Sequence, residues 1–171
     1  DEAALNTANH VYIKDDAYAW IPARVEKTTD DGLAHVVIPE YKDEKSIQSD
    51  GGRKAKRFRK DTVKLADYPN KALPLQNVDE KGNLVEVEDM VDLPFLHEAA
   101  IMYNLKARHV TSLPYTRTGD IVIAVNPYKW LLHLYTEERR HLYASKLVFD
   151  DNYNENEGDP RSKIEPHVYE A

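Results

Sequence analysis

The residues best placed to do chemistry follow an unbroken apolar run. Residues 121–125 read Ile-Val-Ile-Ala-Val, and Asn126, Pro127, Tyr128 and Lys129 come directly after them. Such a run is expected for a strand covered on both faces. Chain leaving the carboxyl end of a strand is where α/β proteins place ligand loops. Asn126 offers a donor and an acceptor, the pair that a purine edge would need. Pro127 fixes the loop. Tyr135 can supply a flat apolar wall or a phenol. The same residues also fit a plain turn that caps a strand, and spacing alone leaves both readings open.

Other candidates carry less. Residues 53–60 contain Arg53, Lys54, Lys56, Arg57, Arg59 and Lys60. This run reads either as a nucleic-acid patch or as a solvated loop or edge strand protected by charge. Asp50 and Asp61 flank it and the chain carries a net charge of -7, which favours the second reading. The seven histidines show no metal-ligand spacing and are expected at the surface. Ser112 and Ser145 have no glycine elbow around them. Glu137 and Glu138 read as charge at a helix start. No GxxxxGK[ST] stretch occurs in the 171 residues, so they are expected to offer no backbone cradle for phosphates. The chain has no cysteine, which excludes a disulfide scaffold and favours a reducing compartment. No apolar run approaches the ~18 residues of a membrane span.

Three composition zones position these residues. Residues 10–65 read as short strands with tight turns, the pattern of a small β-barrel. Residues 11–13 form one strand. Residues 17–25 alternate, with Ala19, Ile21, Ala23 and Val25 on one face and Tyr18 and Trp20 on the other. Pro22 suggests an edge position there. Asp30-Asp31-Gly32 is a hairpin turn, residues 33–38 return, and Val63 and Leu65 mark a last short strand. Residues 40–61 interrupt this with charge, and Asp50-Gly51-Gly52 is a turn. Residues 66–171 look α/β. Tyr68-Pro69 and Leu73-Pro74 mark extended connecting chain. Asp92 is a good N-cap, followed by a stripe of Leu93, Leu96, Ala100 and Tyr103. Residues 113–115 are extended and residues 117–120 turn. Thr136 caps a second helix. Residues 150–159 form an acidic loop, and residues 162–171 begin a helix.

Two stretches resemble the myosin motor family. Residues 92–115, DLPFLHEAAIMYNLKARHVTSLPY, resemble its first motor helix and the strand after it. Residues 116–148, TRTGDIVIAVNPYKWLLHLYTEERRHLYASKLV, resemble the strand and loop that hold the adenine of ATP. The linker at residues 68–77 and the SH3-like barrel at residues 10–65 are similar to the parts that precede the motor. The chain departs from the family pattern at His109, Arg117 and Leu132. The resemblance implies an α+β chain: an N-terminal tail (1–9), an SH3-like β-barrel (10–65), and an incomplete α/β segment of a P-loop NTPase motor domain (66–171). It implies that Asn126, Pro127, Tyr128, Lys129 and Tyr135 line the adenine side of an ATP site. It further implies Mg-dependent ATP hydrolysis, movement on actin filaments and a place in the cytoplasmic cytoskeleton for a full-length parent. Both ends read as cuts in a longer chain, with the phosphate loop expected beyond Ala171. Two other functions fit the residues. One is an interaction module with an aromatic groove of Tyr12, Tyr18 and Trp20. The other is a nucleic-acid binder using the basic run.

Overall fold

A computed structural model describes residues 8–39, 58–147 and 165–170. The chain divides into two compact units, Asp1–Val85 with His97–Ala100, and Glu86–Leu96 with Ile101–Ala171.

The first unit is built on an antiparallel sheet of β1 (His10–Asp15), β2 (Ala19–Thr28), β3 (Leu33–Pro39) and β4 (Phe58–Lys64), in that spatial order. The turn at Asp30-Asp31-Gly32 falls where its residue types require it. Gly32 takes φ +79°, and the Thr29 and Leu33 backbones pair across it. Val11, Ile13, Ala23, Ala34, Val36, Ile38 and Tyr68 form the buried core. Burial of each large aliphatic among them contributes about 1.5–3 kcal/mol. Ile21 and Val25 pack on this core as their shared face predicts, but Trp20 packs on it too, so the expected division of faces fails at Trp20. Ala19, at φ 62°, leaves the extended region, and strict alternation cannot run through it.

The sheet does not close into the expected barrel by pairing β4 with β1 among the described residues. The outer edge of β1 is taken by the connecting chain instead. Tyr12 N–H donates to Pro74 O at 2.8 Å, and Gln76 N–H donates to His10 O at 2.9 Å. The buried Gln76 amide donates to Val11 O and, at 3.1 Å, to Ala23 O. A covered edge is protected from pairing with another chain. Pro22 sits in a strand with neighbours on both sides, not in an edge strand. It faces Tyr12 of β1, while pairing of β2 with β3 starts only at Arg24. No partner on the β3 side asks Pro22 for the hydrogen it lacks. β4 is longer than Val63 and Leu65 suggested, and Leu65 already opens a 3-10 turn.

Farther along, Asp79 Oδ1 accepts from the Lys81 and Asn83 backbones at 2.9 and 2.8 Å. These bonds and the Asn83 side chain hold its carboxyl below the usual range. Gly82 completes that turn at φ +78°, where a Cβ would meet the His10 ring at 3.2 Å.

The first helix, α1 (Glu98–Val110), starts six residues after Asp92. Its first three residues count with the first unit and the rest with the second. Asp92 instead ends a 3-10 turn, Met90–Asp92, whose cap is Asp89 accepting from Val91 N at 3.1 Å. The cap of α1 is His97, whose Nδ1 accepts from Ala100 N at 3.2 Å. Leu96, expected on the buried stripe, is exposed.

In the second unit, β5 (Tyr115–Thr118) and β6 (Ile121–Ala124) pair as an antiparallel hairpin with Gly119 at φ +60° in the loop. The hairpin corrects the expectation of a strand covered on both faces, since Ile121 is 63% exposed and Ala124 is exposed. The second helix, α2 (Glu137–Leu147), is capped as expected, Thr136 Oγ1 accepting from Arg139 N at 3.3 Å. Glu137 and Glu138 occupy its first turn, and hydrogen bonds hold both carboxyls below the usual range. For Glu137 the partner is Arg140; for Glu138 it is the helix-start backbone. Where a helix was expected near the end, residues 165–167 are irregular and Val168–Glu170 makes one 3-10 turn. The turn at 50–52, the basic residues 53–57 and the acidic loop at 150–159 lie outside the described residues.

Candidate functional site

The sequence candidates lie on the segment that leaves β6. Asn126 is exposed, and its Oδ1 accepts from Tyr128 N at 2.9 Å, closing a short side-chain turn. This bond helps to hold Tyr128 at φ 50°. The loop is fixed from behind by the chain that follows α1. The His109 ring reaches Asn126 O at 3.3 Å, and Lys129 Nζ donates to Ser112 Oγ at 2.6 Å. Pro127 is half-buried; Tyr128 and Trp130 are 91% and 90% exposed. The structure therefore gathers Asn126, Pro127 and Lys129 in one braced loop and turns the Tyr128 ring to solvent.

Tyr135 stands apart from that loop, after the 3-10 turn Leu132–Leu134. Leu131 and Leu134 are buried against Tyr115, with Val122 beside them, and this small core carries Tyr135. The Tyr135 hydroxyl meets the Tyr115 hydroxyl at 2.7 Å. Its ring lies edge-on to His167 at 5.5 Å and to Tyr169 at 6.4 Å, yet the residue is 47% exposed. His167 is the hub of this cluster, stacked on Tyr143 at 5.1 Å and within 4.8 Å of Tyr115. Tyr143 in turn donates to Glu165 O at 2.6 Å. Burial, and then the bond to Tyr135, push the Tyr115 phenol well above the ordinary tyrosine range. The Tyr115 phenol is thus neutral at physiological pH.

Residues that sequence reasoning passed over hold this arrangement. Arg108 is buried, with Nη2 donating to Tyr115 O at 3.1 Å and Nε donating to Thr116 Oγ1 at 3.1 Å. Asn104, also buried, bonds both the N–H and the C=O of Val87 at 2.8 and 3.1 Å. Ala100, Asn104 and Arg108 recur every fourth residue on α1, so the buried stripe exists but two thirds of it is polar. A search for apolar periodicity cannot see it. The histidines expected at the surface include two that are buried, His10 and His167. Tyr12 is buried and Trp20 lies against Tyr68 at 6.3 Å, so neither lines an exposed aromatic groove. Of the basic run, Lys60 pairs with Glu26 at 2.9 Å and Arg59 with Asp61 at 3.7 Å.

Among the described residues no three His, Asp or Glu side chains converge as metal ligands. No helix among them is long and apolar enough to cross a membrane.

Residues 87–171 match the family model described as the myosin head, or motor domain. The chain is 31% identical over 168 residues to Myosin-15 of Arabidopsis thaliana, which covers 98% of this chain and 9% of that protein. It is 30% identical over 162 residues to Myosin-11 of the same plant, covering 94% of this chain and 8% of that protein. It is 41% identical over 86 residues to Protein OPAQUE1 of Zea mays, covering 50% of this chain and 6% of that protein. The chain thus spans less than a tenth of the length of each of these relatives.

Proposed function

This chain belongs to the myosin motor family, and from that premise we propose that it supplies the adenine side of an ATP site. In this reading residues 66–171 are the opening of a P-loop NTPase motor domain and residues 10–65 the sheet module before it. ATP hydrolysis, its magnesium ion and movement on actin filaments in the cytoplasmic cytoskeleton belong to the full-length parent. The observation that carries the reading is the braced loop, with Asn126 and Lys129 fixed against the chain after α1. It lies within the region that matches the motor family. A fixed loop loses little conformational freedom on binding a ligand. Asn126 keeps its amide N–H groups for a purine edge while its oxygen is engaged at Tyr128. Lys129 adds positive charge near the ribose and phosphates.

The reading is tested in the full-length protein. Asn126→Ala is expected to raise the ATP concentration needed for half-maximal turnover by about tenfold, the loss of one or two hydrogen bonds. ATP binding unchanged in both Asn126→Ala and Tyr135→Ala would sink it. The 171 residues alone are expected to release no phosphate from ATP, because contacts to the base do not stabilise a phosphoryl-transfer transition state.

A further inference from the structure

We propose that Tyr115 is a positioning residue for the nucleotide base, holding the Tyr135 ring through their shared hydroxyl contact while Arg108 fixes Tyr115. The proposal rests on the reading of Tyr135 as part of the base site and goes beyond it.

Three observations carry it. First, the two phenols are 2.7 Å apart, a normal hydrogen-bond length between hydroxyls, although the residues are twenty apart in sequence. Second, Tyr115 is buried and Tyr135 is 47% exposed, so one residue is an anchor and the other stays reachable from solvent. Tyr135 is held at its polar tip and flanked by His167 and Tyr169. Its orientation is thereby set, which is what a stacking platform for a flat base requires. Third, the anchor is itself clamped. Arg108 donates from Nε and Nη2 to the Tyr115 carbonyl, at 3.3 and 3.1 Å, and from Nε to the Thr116 hydroxyl. A guanidinium fork bridging two adjacent acceptors fixes the chain more firmly than a single bond does. The order of control is therefore Arg108 to Tyr115 to Tyr135, and only the last touches the base.

Removing the Tyr115 hydroxyl leaves its ring in place and frees the tip of Tyr135. Binding must then order that side chain, which weakens a base-bearing ligand by about two- to tenfold. Ligands without a base should not sense the change. The test uses the full-length protein and two probes, ATP and inorganic tripolyphosphate, each with magnesium. Tyr115→Phe is expected to weaken ATP about two- to tenfold and to leave tripolyphosphate unchanged. Tyr135→Phe should do the same. The double variant should lose no more than either single one, because both changes remove one bond. Equal weakening of both probes by Tyr115→Phe, or additive losses in the double variant, would overturn the proposal. An unchanged ratio in Tyr115→Phe alongside a changed one in Tyr135→Ala would overturn it as well. An unchanged ratio in both would reject the assignment of Tyr135 to the base site itself.

Discussion

The two units of this chain are held together by different chemistry. The first has an apolar core that includes Val11, Ile13, Val36 and Ile38, and it buries the polar His10, Gln76 and Asn77 as well. The second has a small apolar core of Tyr115, Leu131 and Leu134, and much of the rest is hydrogen bonds from buried polar side chains. Asn104, Arg108, Thr116 and the ring cluster around His167 do there what branched aliphatics do in the sheet. Apolar burial is non-directional and tolerates small shifts. Hydrogen bonds are directional and fail when one partner moves. The unit that carries the candidate site is the one built from directional contacts, which suits a site that must fix a ligand's orientation.

The strongest challenge to this contrast is a cavity in the sheet. Ile13→Ala is expected to cost about 2–5 kcal/mol, read as urea-induced loss of amide protection in β1 to β4. A loss below 1 kcal/mol would mean that the apolar core does not dominate the first unit. Next in size is Arg108→Met, which removes the buried donors but keeps much of the volume. We expect a loss of about 2–3 kcal/mol, with protection falling between Tyr115 and Ala124 while the four-stranded sheet keeps its own. A uniform loss across both units would erase the distinction between them.

These two substitutions also mark what the sequence made legible. The sheet was readable because its residues obey local rules: Asp-Gly at the turn, and short apolar runs in β1 and β3. The failed barrel closure was not readable, since nothing in β1 or β4 announces that Pro74 and Gln76 will take the free edge. The helix start was misplaced because Asp92 lies at the end of a 3-10 turn that Asp89 caps, and His97 is an uncommon cap. In the candidate site, residues 126–129 stood out by their position after an apolar run. Ser112 and His109, which brace them, are seventeen residues away and carry no local signal. The Tyr115–Tyr135 bond joins positions of no special spacing.

A third prediction separates the units by pH. Tyr115 has a raised folded pKa, so the fold binds its proton more tightly than the unfolded chain does. The stability this gives is fully present below the ordinary tyrosine value of 10.0 and is lost as pH rises above it towards the folded value. Tyr68 in the first unit, raised chiefly by burial and partly offset by the Lys14 backbone, should show the same sign. Alkaline titration of Tyr115→Phe should therefore flatten the decline above pH 10.0 in the second unit alone. A decline of unchanged slope would show that Tyr115 is not its source. The smallest effect is at the sheet surface. Lys60→Ala breaks the exposed pair with Glu26 and should cost at most about 1 kcal/mol, vanishing at high salt. A salt-independent loss would reveal that the pair is more than a surface contact.

The chain has two tryptophans, and they fall one in each unit. Trp20 is packed on the sheet core beside Tyr68, while Trp130 stands almost wholly in water next to the candidate loop. Their light emission should therefore differ in colour, Trp20 to the blue of Trp130. A dissolved quencher should dim Trp130 first. Each unit thus carries its own built-in optical reporter. A ligand settling on the loop would change the red component and leave the blue one alone, and a cavity in the sheet would do the reverse.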